Sequence, residues 1–221
     1  TSNYILTQMT QKKLPYDKAV EEAIQLGFAE DPPTLDVDGT DAAHKLAILI
    51  SIAFGVPASF SSIFREGIDR LTPDDILFAD EFGYAIKLLA IARNTGDRVE
   101  ARVHPTMVPL DHIMANVNGA YNAIYLEGDF VGPHLYYGLG AGKRPTGSAV
   151  VSDIISLARQ ITCGAQSLVP PLAHVRTTAE TVPIQPIEEL VTSYYFRFSA
   201  VDRPGVLSKI SGILGEHEIS I

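Results

Sequence analysis

Residues 84–109, YAIKLLAIARNTGDRVEARVHPTMVP, decide the fold class, because the chain changes character where they begin. Two β-rich segments, 84–93 and 99–109, lie on either side of turn residues that include a glycine. Two more β-rich segments follow, and residues 122–127 and 134–139 form a candidate antiparallel hairpin. The pattern therefore predicts that strands begin after the first third of the chain.

Helical patterns surround these strands. Thr40 is a candidate N-cap, and Thr72 with Asp75 resembles a capping box. Most of the predicted helices come before most of the predicted strands. This order predicts an α+β fold, with a mixed, largely antiparallel sheet covered by helices on one side. The predicted helices cover residues 3–14, 16–27, 41–54 and 146–163.

The composition excludes several classes of protein. A chain of 221 residues with 46% hydrophobic and 19% charged residues predicts a soluble globular protein. A net charge of −9 without a basic patch argues against nucleic-acid binding. Cys163 is the only cysteine and is expected in the core, which fits a cytoplasmic protein without disulfides. The charge-poor run 46–64 contains Gly55 and Pro57, so it predicts a buried helix and a turn instead of a membrane span.

Acidic residues cluster in the loop at 28–40, which leads into a helix that carries Lys45 near its start. Carboxylates beside one amine can recognise an amino-acid-like substrate and provide a proton donor. Asp41 and Lys45 lie four residues apart, so an ordinary surface ion pair explains them equally well from the residues alone. Asp31 and Asp38 are expected to be solvated loop acids. No histidine spacing predicts a metal site.

Five segments resemble homoserine dehydrogenases, and they occur in the same order over about 160 residues. They are TSNYIL at 1–6, LGFAEDPPTLDVDGTDAAHKLAIL at 26–49, FGYAIKLLAIA at 82–92, NAIYLEGD at 122–129 and YYGLGAGKRPTGSAVVSDI at 136–154. The resemblance implies NAD(P)-dependent interconversion of L-aspartate 4-semialdehyde and L-homoserine, in the biosynthesis of threonine and methionine. It also implies a small-molecule substrate, while the composition argues against a nucleic-acid or membrane partner.

The resemblance implies a role for each residue of the acidic cluster. Lys45 is the expected catalytic proton donor and electrostatic stabiliser, and Asp41 is expected to orient it and to contact the substrate. Glu30 and Asp36 are expected to bind the substrate amino or hydroxyl groups, while Thr1 helps to hold the substrate. These assignments agree with the residue chemistry, because a buried α-ammonium needs carboxylate partners.

The same resemblance implies that NADP or NAD is bound mainly by a nucleotide-binding domain N-terminal to this chain. The run Gly138–Gly142 is not a G-x-G-x-x-G motif and also lacks the phosphate-loop spacing. The family uses this turn to bring the backbone close to nicotinamide and substrate, so Gly140 and Gly142 are weak cofactor-binding candidates. Tight strand-to-helix geometry is the alternative explanation for both glycines.

Residues 194–221 are predicted to form a strand, a tight loop, a helix and the start of another strand. Within them, VDRPGVLSKISGIL at 201–214 is similar to the start of an ACT domain. The predicted organisation is a catalytic and dimerisation domain at 1–170, a proline-containing linker at 171–191 and a truncated ACT domain at 192–221. The chain is expected to be a fragment of a longer protein and to be inactive alone. A homodimer or higher homo-oligomer is expected, and a threonine effector in the full-length protein.

Two alternatives remain at this point. The first is a regulatory amino-acid-binding module of the ACT type, because a loop before a helix N-terminus can hold a carboxylate. The second is a scaffold domain that only dimerises through its sheet.

Overall fold

The computed structural model describes residues 1–140, 142–164 and 183–220. The chain divides into two units, Thr1–Leu190 and Val191–Ile221. The α-helices are α1 Ser2–Gln11, α2 Tyr16–Gln25, α3 Thr34–Val37, α4 Thr40–Phe54, α5 Pro73–Glu81, α6 Lys143–Thr162 and α7 Val206–Glu216. The strands are β1 Phe64–Arg65, β2 Tyr84–Asn94, β3 Val99–Pro109, β4 Tyr121–Gly128 and β5 Gly132–Leu139.

The central sheet has three strands in the order β1-β3-β2. Strands β2 and β3 pair antiparallel along their whole length, from Tyr84 opposite Pro109 to Asn94 opposite Val99. The Thr95 N–H donates to the Arg98 carbonyl at 3.0 Å and closes the turn between them. The short strand β1 pairs parallel with β3. The predicted α+β class with a mixed, largely antiparallel arrangement is confirmed, although the described strands form two separate sheets.

Helices cover one face of the central sheet. Residues of α1, α2 and α5 pack with Ile86 of β2 in one apolar cluster. A second cluster joins α4 to the alternate residues Val99, Ala101 and Val103 of β3. Leu88 packs against both clusters, so they form adjoining parts of one helix–sheet interface. Because successive strand residues point to opposite faces, this pattern places the helices on a single side.

The start of α4 differs from the prediction of Thr40 as N-cap. Gly39 is the N-cap, with φ 86°, and Thr40 is the first helical residue. The Asp38 carboxylate accepts a hydrogen bond from the Thr40 N–H at 2.8 Å, which satisfies one of the N–H groups that a helix start leaves unpaired. The helix ends at Phe54, and Gly55 follows with φ 69°. No helix among the described residues is long and apolar enough to cross a membrane.

Other local signals are confirmed or need small corrections. The capping box at the start of α5 is present, with the Thr72 N–H donating to Asp75 Oδ2 at 2.9 Å. The predicted helix 3–14 is too long, because α1 ends at Gln11 and Lys13 has φ 56°. That left-handed backbone cannot continue a right-handed helix.

The predicted hairpin is confirmed: β4 and β5 pair antiparallel from Tyr121 opposite Leu139 to Gly128 opposite Gly132. Helix α6 follows, and within the described part of the chain it has no buried residue. The prediction that Cys163 lies in the core is therefore wrong, since this C-cap residue of α6 is exposed. The apolar periodicity around it predicted the helix but could not show what packs on it.

The second unit, Val191–Ile221, contains α7, whose N-cap Gly205 has φ 89°. The strand expected before α7 is not formed: residues 191–203 have no regular secondary structure. A strand needs a neighbouring strand for its N–H and C=O groups, and sequence pattern alone does not supply one. Most of the predicted linker, residues 171–182, lies outside the described residues, while 183–190 belong to the first unit. The predicted domain limits stay predictions.

Candidate active site

Asp36 is the centre of a hydrogen-bond cluster that joins the start of α1 to the acidic loop. Its Oδ1 atom lies 3.0 Å from the Thr1 hydroxyl, and its Oδ2 atom accepts the Glu30 N–H at 3.0 Å. The Ser2 hydroxyl donates to the Asp36 carbonyl at 2.6 Å. The Thr1 hydroxyl also contacts the carbonyl of Phe28. A carboxylate has about four acceptor positions, so Asp36 can hold this loop and still accept from a ligand.

Asp41 and Lys45 form an ion pair on the first two turns of α4, with 2.6 Å between Lys45 Nζ and Asp41 Oδ2. Both are solvent-accessible: their side chains are 68% exposed for Lys45 and 48% for Asp41. Helix α4 buries the face that carries Leu46 and Ile50, and Lys45 lies on a different face.

Two glycines let the acidic loop rest directly on the backbone at 66–68. The Ile68 N–H donates to the Val37 carbonyl at 2.8 Å. A Cβ atom added to Gly67 would lie only 2.2 Å from the same carbonyl oxygen. At Gly39, an added Cβ would lie 3.3 Å from the Glu66 carbonyl, and its φ of 86° also disfavours other residues. The positions of Asp36 and Asp41 therefore depend on a contact remote in sequence.

The electrostatics show that three predicted site residues lie near one another. The backbone nitrogen of Thr1 lies within range of the charges of Asp36, Lys45 and Asp41. The start of α1 therefore lies within electrostatic range of all three charged side chains. Glu30 is exposed, and none of the described side chains pairs with its carboxylate. Its free carboxylate is open to a ligand, while its backbone is fixed by Asp36.

The prediction for Asp38 is wrong. It was expected to be a solvated loop acid, but it is half-buried and holds the Thr40 N–H at the start of α4. A short acceptor two residues before a helical N–H is a common local hydrogen bond for Asp. Asp31 is exposed, and its peptide bond to Pro32 is cis.

The two glycines proposed for the cofactor have different surroundings. Gly140 directly follows β5, and an added Cβ there would lie 1.6 Å from Asn122 Nδ2. The Asn122 amide thus occupies the space that a side chain at residue 140 would take. Gly142 has φ 117° and forms the N-cap of α6. That backbone conformation favours glycine without any ligand. A nicotinamide contact at either residue stays a prediction.

Lys87 was missed by the reasoning from sequence. It lies on β2, is only 7% exposed, and donates to the Val117 carbonyl. Its Nζ atom also lies 3.1 Å from Asn118 Oδ1 and 3.4 Å from Asn3 Oδ1. Burial lowers its pKa to about 8. The available signal was one charged residue inside the apolar run YAIKLLAIA, because lysine is rarely buried without a reason.

The buried lysine predicts a specific dependence of stability on pH. Because burial lowers the pKa of Lys87 from the ordinary lysine value of 10.5 to about 8 in the folded chain, the unfolded chain binds more protons between these values. The free energy of unfolding should therefore rise with pH in this window. From about pH 8 to pH 9.5 the rise attributable to Lys87 is ~1.5 kcal/mol. Urea unfolding of the wild type and of Lys87→Met should show this difference in slope. Equal slopes would contradict it.

Comparisons with known proteins give the family of the chain. A family model described as homoserine dehydrogenase matches residues 1–155. A homoserine dehydrogenase from Pseudomonas aeruginosa is 48% identical over 221 residues, which are 100% of this chain and 51% of that protein. The chain thus spans about half the length of the curated relatives that it matches.

Solved structures give the same result. A homoserine dehydrogenase from Thiobacillus denitrificans, whose crystal structure is known, is 45% identical to this chain, with a TM-score of 0.83. The match covers 97% of this chain and 50% of that chain. A hyperthermophilic archaeal homoserine dehydrogenase mutant in complex with NADPH is 29% identical, with a TM-score of 0.56. The match covers 76% of this chain and 46% of that chain. Since the family model spans well over half of its residues, the chain belongs to the homoserine dehydrogenase family.

Proposed function

We propose that this chain supplies the substrate-binding and proton-donating part of an NAD(P)-dependent homoserine dehydrogenase. The full-length enzyme would interconvert L-aspartate 4-semialdehyde and L-homoserine. The observation that supports this most is the Asp41–Lys45 pair near the Thr1–Asp36 contact. The family-specific roles of these residues are part of the proposal.

The acidic loop is suited to bind the amino-acid end of the substrate. Asp36 accepts a hydrogen bond from the Glu30 N–H and so fixes the backbone that carries the exposed Glu30 carboxylate. An α-ammonium group donates three hydrogen bonds and forms strong charge-assisted bonds with carboxylates. We assign Glu30 and Asp36 to this group, and the Thr1 hydroxyl to a supporting contact.

Lys45 is assigned to the carbonyl oxygen of the semialdehyde. When bound, NAD(P)H supplies the hydride that adds to the aldehyde carbon. As negative charge develops on the oxygen, the Lys45 ammonium stabilises it and then donates the proton that completes the hydroxyl group. Asp41 keeps the ammonium in place through the 2.6 Å contact. In the reverse direction the neutral Lys45 amine accepts that proton.

The nucleotide itself does not fit a cradle formed by the described residues. The glycine run at 138–142 lacks the dinucleotide-binding spacing, and the Cβ position of Gly140 is filled by Asn122. We therefore assign nucleotide binding to the remainder of the full-length protein.

The exposed side of α4 offers a surface for that remainder. Ile48 is 58% exposed and Ile52 42%, and they continue the face that carries Asp41 and Lys45. Contiguous exposed apolar surface commonly marks an interface. Covering this face would remove water from around the Lys45 ammonium and strengthen its interaction with charge on the substrate oxygen.

We also propose that the full-length protein is a homo-oligomer. Apolar side chains remain exposed on the β4–β5 hairpin and on α6, among them Tyr136 at 62% and Ile154 at 59%. A two-stranded hairpin is marginally stable alone, so these elements are suited to packing against a second copy. A threonine effector, an ACT-type regulatory role and a cytoplasmic location stay predictions.

The proposal is tested by comparing the full-length protein with the 221-residue chain. We expect the full-length protein to oxidise NADPH when aspartate semialdehyde is added, as followed by absorbance. The isolated chain should show no oxidation above the substrate-free control, because nucleotide binding is assigned to the remainder of the full-length protein. No turnover by the full-length protein would refute the proposed function. Turnover by the isolated chain would refute the assignment of nucleotide binding to the remainder.

A further inference from the structure

We propose that Lys87 is a positioning residue of the substrate site: it holds the first turn of α1 against residues 117–119 and thereby fixes the Thr1–Asp36 contact. The proposal rests on the function proposed above. It concerns a side chain on β2 that belongs to neither the acidic loop nor α4.

The three hydrogen bonds of Lys87 join separate parts of the chain. The ammonium contacts Val117 and Asn118 in the segment that follows β3, and Asn3 in the first turn of α1. These partners are neutral oxygen atoms, and they use all three donors of the ammonium. Lys87 thus acts as a three-way link between β2, α1 and the segment before β4.

Asn3 continues the link. Its Nδ2 atom donates to the Tyr121 carbonyl at 2.8 Å and to the Gly119 carbonyl at 3.3 Å. The Gly119 N–H in turn donates to the Thr7 hydroxyl at 2.9 Å. The first two turns of α1 are therefore fastened to residues 117–121 by polar contacts. Lys87 supplies the charged and most deeply buried of these contacts.

The fastened turn is the one that carries the substrate contacts. Thr1 and Ser2 directly precede Asn3, and both contact Asp36. Asp36 then holds the Glu30 N–H. A shift of Asn3 would be transmitted through two short contacts to the carboxylates assigned to the substrate.

Asp41 and Lys45 are held differently. They lie on α4, whose buried residues Leu46 and Ile50 pack against β3 in the second apolar cluster. Loss of the Lys87 contacts should thus loosen the substrate-binding carboxylates without moving the proton donor. This separation gives the proposal a kinetic signature that general destabilisation would not produce.

The test uses Lys87→Met in the full-length protein, since methionine keeps an unbranched apolar side chain but removes the ammonium and its three donors. We expect the KM for aspartate semialdehyde to rise about tenfold while kcat stays within about twofold. The KM for NADPH should not change. Amide hydrogen exchange at Glu30 should become faster, and this second measurement does not depend on turnover.

Lys18→Met is the matched control, because Lys18 is an exposed lysine paired with Glu21 on α2. This variant should leave kcat, both KM values and the amide exchange rate at Glu30 unchanged. If Lys87→Met does not fold, Asn118→Ala removes one acceptor and should raise the same KM by about threefold. An unchanged KM, or a lower kcat with an unchanged KM, would overturn the positioning role. Absence of turnover in the wild type would refute the proposed function instead, and the exchange rate at Glu30 would then decide the role of Lys87.

Discussion

Lys45→Met in the full-length protein is expected to lower kcat for reduction of aspartate semialdehyde by about 100-fold or more, the usual contribution of a positioned acid. The methionine keeps the apolar stem and removes both the charge and the proton. KM should change little, because the carboxylates assigned to the amino group are left intact. Steady-state NADPH oxidation measures both constants.

Two further variants sharpen this result. Lys45→Arg keeps a positive charge but does not release a proton near neutral pH, so partial recovery of kcat would measure the purely electrostatic share. Lys18→Met removes an exposed lysine from another helical ion pair and should leave kcat unchanged. Unchanged turnover in Lys45→Met would exclude the catalytic assignment and favour the scaffold alternative.

Gly67→Ala is expected to destabilise the chain by about 3 kcal/mol or more, at the upper end of the cost of overpacking. The new Cβ would lie 2.2 Å from the Val37 carbonyl oxygen and 2.5 Å from the Asp38 Cα atom. Both contacts are with backbone atoms, which cannot move aside as a flexible side chain would. The acidic loop must therefore shift away from residues 66–68. Urea unfolding at pH 7 measures the change in free energy.

The same substitution should impair the full-length enzyme where it folds. Displacing catalytic groups by about 1 Å can cost about 100-fold in rate, so kcat/KM should fall strongly. Gly212→Ala is the matched control, since an added Cβ at this exposed position of α7 meets no atom within 4 Å. Wild-type stability in Gly67→Ala would show that the loop does not need this close contact.

Several signals that depend on neighbouring residues were read correctly from the sequence, although the N-cap of α4 and the end of α1 were not. The capping box at Thr72 and Asp75 requires only four consecutive residues, and it is present. The β4–β5 hairpin was predicted from two β-rich segments and the short turn between them. The Asp41–Lys45 contact follows from a spacing of four residues on a helix. In each case the partners are fixed by local backbone geometry.

Features that depend on distant partners were missed or wrong. The buried contacts of Lys87 involve Asn3 and Val117, which lie far from it in the sequence. The predicted strand before α7 did not form, because β propensity does not provide a partner strand. Cys163 directly follows a well-predicted helix, but whether its side chain is buried depends on what packs against that helix.

The sequence by itself determined the α+β class, the order of the helices and strands, and the candidate residues Glu30, Asp36, Asp41 and Lys45. These follow from periodicity, from capping chemistry and from the resemblance of ordered motifs. Only the tertiary structure decided that Asp36 joins the start of α1 to the acidic loop, and that this loop rests on Gly67. The reason is that a hydrogen bond or a close backbone contact between distant residues exists only after the chain has folded.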